Sequence, residues 1–262
     1  MARSDFLSIA HRGASAYAPE NTFAAFDLAL QMGARHIELD VHAAMDGHAV
    51  VIHDETLDRT TSGTGPVAKH SLADLKRLDA GSWFDSRFAN ERIPAFTEVL
   101  ERYARRAYLH TEIKSIKAGF SRRIVDEIRK YGAEHHVTIT AFEIARLGEV
   151  RRYASDLSTG WLVREITEEI IAITKHTGVA QLCPKASAVT PTLVRRLHQE
   201  GLTVRVWGVP SEEVMREVVR AGVDGMTVNF PDRLIQYLST EREQSTHEAN
   251  QEVHATSHPR RA

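Results

Sequence analysis

Two pairs of polar residues in this sequence are spaced as a strand would need them to meet. Glu38 and Asp40 sit two apart in the apolar run at 36–41, and Glu112 and Lys114 sit two apart at the end of the run at 108–114. Side chains two apart on a strand share a face, so each pair faces one way. Three carboxylates gathered among apolar strands repel one another unless positive charge lies between them. Oxygen ligands suit a hard divalent ion, Mg²⁺ or Ca²⁺ before zinc, with Mn²⁺ a third candidate. His11-Arg12-Gly13 and His53-Asp54 close two other short apolar runs. Imidazoles exchange protons near neutral pH, and a guanidinium or ammonium beside a metal suits an anion such as phosphate. Together these residues point to metal-assisted phosphoryl chemistry with paired acid–base histidines. Taken singly, each has a plainer reading: Glu38 and Asp40 could pair with Arg35 or Lys114, and the histidines could be structural.

The elements that would position these residues alternate strand and helix. Strands are expected at 6–10, 36–41, 108–114, 137–142, 157–163, 179–183, 203–209 and 225–229, with a further short extended run at 49–52. Helices are expected at 21–32, 120–131, 167–176, 191–200, 211–221 and 232–238. Several carry end signals: Asn21, Thr190 and Ser211 as N-caps, Pro191 at the first turn, and Gly33, Gly178, Gly201 and Gly222 as stops. Eight strands that each open a βα unit predict an α/β fold of the (β/α)8 TIM-barrel type, whose functional groups gather at the C-terminal strand ends. An open doubly wound sheet is the alternative, but no G-x-G-x-x-G follows the first strand. One barrel domain over 1–240 is expected. Residues 54–94, with a helix-like piece at 72–78, read as a small insertion over the barrel mouth after the second strand. The tail at 241–262, which lacks apolar periodicity, reads as disordered.

The chain has 262 residues, with 42% hydrophobic and 26% charged, an ordinary globular mixture. Lys and Arg total 33 against 35 Asp and Glu, giving a net charge of −2, so no basic nucleic-acid surface is expected. The single cysteine, Cys183, precludes an internal disulfide and any Cys-based zinc cluster. It reads as a small buried hydrophobe. No apolar stretch approaches the ~20 residues needed to span a bilayer, and the first residues lack a secretory apolar core. A cytoplasmic location with a small-molecule substrate is the expectation; the oligomeric state is open.

The order of the motifs adds a resemblance. His11-Arg-Gly, Pro19-Glu-Asn-Thr22, Glu38-Leu-Asp-Val41, Asp46-Gly47, His53-Asp54, Leu57-Asp-Arg-Thr-Thr61 and Glu112-Ile-Lys114 resemble, in order, the glycerophosphodiester phosphodiesterase family. The Trp207 strand and the Gly222-Val-Asp-Gly225 to Phe-Pro-Asp232 ending are also similar to it, so the likeness runs over about residues 8–238. The resemblance implies a metal held by Glu38, Asp40 and Glu112 and an acid–base pair of His11 and His53. It also implies that Arg12 and Lys114 hold the phosphate. A glycerol hydroxyl would attack phosphorus to give a cyclic phosphate, which water opens to glycerol 3-phosphate, releasing a free alcohol.

Departures from the family pattern fall at supporting positions. Ala43-Ala44-Met45 stands where a Thr before Asp-Gly is common, Gly208-Val-Pro210 where Thr-Val-Asn follows the Trp, and Val228-Asn229 in place of Thr-Asp. They bear on substrate preference more than on activity. Glu20 and Asn21 read either as supports behind Arg12 and His11 or as helix-start residues. Trp207 reads as substrate wall or core, and His42 as packing. Trp83, Phe84 and Phe88 could form a track for an acyl chain, as a lysophospholipase D-type enzyme acting on lipid would need. A catalytically silent binding barrel is the remaining alternative.

Overall fold

The computed structural model describes residues 6–256, with side chains as far as Gln244. Nine strands form one sheet: β1 (Leu7–His11), β2 (His36–Ala43), β3 (Ala49–Val51), β4 (Tyr108–Ile113), β5 (Val137–Ala141), β6 (Ser158–Val163), β7 (Gln181–Pro184), β8 (Thr203–Val206) and β9 (Gly225–Val228). All pair in parallel except β3, which runs antiparallel on β2. Pairing of β1 with both β9 and β2 closes the other eight strands into a barrel. The TIM-barrel expectation is met.

Nine helices lie among the described residues: α1 (Phe23–Gln31), α2 (Leu72–Leu75), α3 (Phe96–Tyr103), α4 (Phe120–Lys130), α5 (Ile144–Tyr153), α6 (Glu168–Thr177), α7 (Pro191–Gln199), α8 (Glu212–Arg220) and α9 (Pro231–Thr256). The sequence reading omits α3 and α5 because neither carries a Ser, Thr, Asp or Asn cap, and Gly148 interrupts α5. Instead, α3 starts with Glu98 accepting from the Ala95 N–H at 2.8 Å. Helix α1 begins one residue later than the Asn21 cap implies, because Thr22 is the N-cap and accepts from Ala25 N. Helix α9 runs well past Leu238, where apolar periodicity fades, through a polar stretch that includes four Glu and two Gln, residues that favour helix. Of the tail at 241–262, α9 takes in the residues as far as Thr256, and 257–262 lie outside the described residues.

The main core lies between the strands and the surrounding helices. On β2, Ile37, Leu39 and Val41 point outward and pack with Phe26, Phe96 and Leu100. The alternating residues His36, Glu38, Asp40 and His42 therefore point into the barrel. The segment at 54–94 folds around Leu57, Val67, Leu75, Ala80 and Ile93, which pack with Ala44, Val50 and Ile52. Three of the eight buried residues of that small cluster come from in or beside the β2–β3 ribbon, since so short a segment buries little core alone.

Candidate active site

Register assembles the carboxylates. His11 lies beside Glu38 across β1–β2, and Asp40 beside Glu112 across β2–β4. Glu38, Asp40 and Glu112 are all buried, and each offers an oxygen within 4.8 Å of the others. Lys114 Nζ lies 3.0 Å from Glu112 and 3.8 Å from Asp40, and Arg12 Nε lies 3.1 Å from Asp40 Oδ2. Two cations thus face three buried anions.

The imbalance appears in the acidities. Burial, with Asp40 and Glu112 adjacent, pushes the Glu38 carboxyl well above its usual value. Burial and Asp40 push Glu112 up to about 7, although Lys114 opposes this. Asp40 goes the other way: burial works against its charge, but Arg12, His53, Lys114 and the Asn21 amide hold it below the ordinary carboxyl range. One oxygen, Asp40 Oδ1, accepts no hydrogen bond among the described residues. Three buried oxygen donors with uncompensated charge suit a hard divalent cation.

The loop after β1 is held tightly. Arg12 and Asn21 both adopt left-handed backbone, with φ of 55° and 59°, which non-glycine residues rarely do. The Asn21 N–H donates to Arg12 O, Asn21 Nδ2 donates to Asp40 Oδ2 at 2.9 Å, and the Arg12 N–H donates to Glu38 Oε2. Asn21 therefore serves Asp40 rather than capping the helix. Gly13, at φ 83°, has no alternative: a Cβ there would fall 2.5 Å from the Ala25 carbonyl carbon. Such strain persists only where the surroundings over-determine it.

The histidines flank this cluster. His11 Nδ1 is 2.6 Å from Asn229 Oδ1, leaving Nε2 3.8 Å from Glu38. Burial, with Arg12 alongside, pushes the His11 imidazole down to about 4. His53 Nδ1 is 2.6 Å from Asp54 Oδ1, and its Nε2 lies 3.2 Å from Lys114 Nζ. His42 Nε2 bonds to the His53 carbonyl, so its contact is with backbone. His11, Arg12, Glu38, His53, Glu112 and Lys114 all border one cavity of about 660 Å³, whose opposite wall includes Trp207. Asp40 lies behind them with no exposure.

The chain has counterparts among known proteins. The sequence pattern of the Glycerophosphoryl diester phosphodiesterase family matches residues 11–233. The chain belongs to that family. It is an enzyme, a phosphoric diester hydrolase. The glycerophosphodiester phosphodiesterase of Caldanaerobacter subterraneus subsp. tengcongensis is 40% identical over 87% of this chain and 96% of its own length. A Bacillus subtilis glycerophosphodiester phosphodiesterase is 33% identical over 86% of this chain and 84% of its own. Among solved structures, an Oleispira antarctica phosphodiesterase in complex with the product sn-glycerol-3-phosphate matches with a TM-score of 0.83. It is 28% identical and aligns over 88% of this chain and 96% of its own.

In this phosphodiesterase the structure adds residues to which the sequence reading assigns no role. Asn229 meets His11, and Arg59 forms a double clamp. It donates to both oxygens of Glu20 at 2.8 and 2.9 Å, and to both oxygens of Asp54 at 2.7 and 3.0 Å. Glu20 in turn accepts from Arg12 Nη1 at 2.9 Å. One guanidinium thus ties the loop carrying Arg12 to the residue that orients His53. The signal lay in the Leu57-Asp-Arg-Thr-Thr61 motif, but nothing in its spacing says what Arg59 touches.

The clamp sets a pH dependence. Arg59 hydrogen bonds, with His53 alongside, hold the Asp54 carboxyl below its usual range. Glu20 is also lowered, because Arg59 and Arg12 outweigh its burial. Lowered folded-state values mean that this stabilisation is complete above the unfolded carboxyl range near ~4 and drains away as pH falls through the folded values. Arg59→Ala is expected to move acid unfolding to higher pH and to slow turnover about 10–100-fold through a mis-set His53. Circular dichroism against pH, with kcat at neutral pH, checks both; an unmoved acid midpoint would show that the clamp contributes nothing.

Proposed function

We propose that this chain hydrolyses small, water-soluble glycerophosphodiesters to glycerol 3-phosphate and an alcohol, with a divalent ion bound by Glu38, Asp40 and Glu112. The observation that carries the reading is the β1–β2–β4 register, which sets three buried carboxylates between two histidines and two cations at one cavity. A bound Mg²⁺, Ca²⁺ or Mn²⁺ would neutralise that charge and polarise a phosphoryl oxygen.

The residues of the chain supply the rest. Arg12 and Lys114 hold the non-bridging oxygens and offset charge that develops on them. His53, steadied by Asp54, takes the proton of the glycerol 2-hydroxyl as its oxygen bonds to phosphorus. The bond to the alcohol oxygen breaks, and that oxygen takes a proton from His11. Water then opens the cyclic phosphate with the two histidines exchanging roles.

A lipid substrate is less well served. Phe84 meets both Trp83 and Phe88 edge to face, and none of the three borders the cavity. No helix among the described residues is long and apolar enough to cross a membrane. With Cys183 buried and unpaired, a cytoplasmic location fits this reading.

The test is release of glycerol 3-phosphate from glycerophosphoinositol and glycerophosphoethanolamine, after EDTA treatment and after adding back each metal. Release only with a divalent ion is expected. No release with any metal would favour the silent barrel, and a strong preference for lysophosphatidylcholine would favour the lipid enzyme.

A further inference from the structure

The proposed chemistry uses only one side of the cavity. Its reacting groups come from β1, β2, β4 and the loop after β3, whereas the opposite side is lined from the ends of β5, β6 and β8. A diester with its phosphorus at the carboxylates must place one of its two alcohols against that opposite side. The glycerol must keep its 2-hydroxyl beside His53, so the leaving alcohol goes there.

That far wall is apolar and positively charged. Phe142 and Trp207 meet edge to face at 5.2 Å between ring centroids, and Trp207 is fixed by Nε1 donating to Val163 O at 3.1 Å. Val209 and Pro210 continue the wall and bring no side-chain hydrogen-bonding group. The Arg164 guanidinium lies 5.4 Å from the Phe142 ring centroid and borders the same cavity. Among the described residues it forms no ion pair; Glu165, next to it in sequence, and Glu143, which follows Phe142, do not border the cavity. The Lys185 stem runs beside Gly208, adding a second exposed cation near the Trp207 strand end.

An aromatic corner of this kind would ordinarily hold a quaternary ammonium through its ring faces. Here a guanidinium already occupies the Phe142 face, and a second fixed cation would meet like charge. We propose that Arg164 makes the Phe142–Trp207 wall a leaving-group subsite that accepts an uncharged or anionic polyol head group and rejects a quaternary ammonium. This inference rests on the proposed glycerophosphodiester hydrolysis and adds the class of alcohol.

The test compares kcat/KM for glycerophosphoinositol and glycerophosphocholine in the metal-loaded wild type, Arg164→Ala and Arg164→Glu. The wild-type ratio should favour inositol by more than tenfold. It should fall at least tenfold in Arg164→Ala, further in Arg164→Glu, and shrink in the wild type as salt screens the repulsion. Arg164 is exposed, so folding is not at stake in either variant. A wild-type ratio near or below one, or a ratio unchanged in both variants, overturns the subsite while leaving the hydrolysis intact. If the wild type cleaves neither substrate, both readings fall.

Discussion

Glu38→Gln and Glu112→Gln are expected to cost roughly three orders of magnitude in rate, several kcal/mol of lost charge stabilisation, yet to raise the melting temperature of the metal-free protein. The two effects share one cause. In the absence of a cation, both carboxylates are held away from their charged state by burial and by Asp40, with Glu112 adding to the effect on Glu38, so a neutral amide of the same shape relieves the fold. Relief of about 1 kcal/mol corresponds to a rise of roughly 2–4 °C for a chain of this size. Asp40→Asn should behave oppositely in stability while losing comparable activity. Its carboxylate is the favoured one, and its loss strips Arg12 of the ion pair at 3.1 Å. Calorimetry with and without EDTA separates the cases. The metal-dependent rise in melting temperature should vanish in all three variants, with only Asp40→Asn less stable than wild type after chelation. Retention of that metal-dependent rise in Glu38→Gln and Glu112→Gln would remove the metal assignment.

Why these three residues were legible from the chain alone is a matter of period. His36-x-Glu38-x-Asp40-x-His42 and Tyr108-x-His110-x-Glu112-x-Lys114 are polar columns of period two inside otherwise apolar strands. With helices covering the outside, such a column can only face into the barrel. The same periodicity reveals the depth of polarity: His110 and Arg205 are buried inside, with half-buried His36 against His110, where barrels usually carry branched aliphatics. Arg205 is fully enclosed and bonds Thr227 Oγ1 at 2.9 Å, a placement that no motif announced. What the sequence hides is contact across loops. Arg59 to Glu20 and Asp54, and Asn229 to His11, join residues far apart in the chain through side chains whose partners no spacing rule selects. Helices α3 and α5 were hidden for a different reason: α3 is closed by the Glu98 side chain from inside its first turn and α5 has no side-chain cap, so neither shows a Ser, Thr, Asp or Asn at its start.

Alanine at either His11 or His53 is expected to slow hydrolysis of natural diesters by on the order of 10²–10⁴, the usual worth of a positioned acid or base. The two losses should differ in kind. His53 has Asp54 at 2.6 Å on Nδ1, so the imidazolium formed by taking a proton from the glycerol hydroxyl is stabilised where it forms. His11 sits under the opposite influence: burial and the Arg12 guanidinium push it down to about 4, so near neutral pH its acid role draws on a small protonated fraction. Its Nδ1 is engaged by Asn229, so Nε2 is the atom that can reach a leaving oxygen. With His53 as base and His11 as acid, the two would approach phosphorus from different strand ends, as in-line displacement requires. A leaving group that needs no proton tests this division. With glycerol 3-phosphate esterified to 4-nitrophenol, His11→Ala should recover most of its lost rate, because nitrophenolate departs without an acid. His53→Ala should stay slow, because the 2-hydroxyl must still lose its proton. Equal recovery in both variants, or recovery in His53→Ala alone, would reverse the assignment, and failure of either substitution to slow the natural substrate would remove that histidine from the proton transfers.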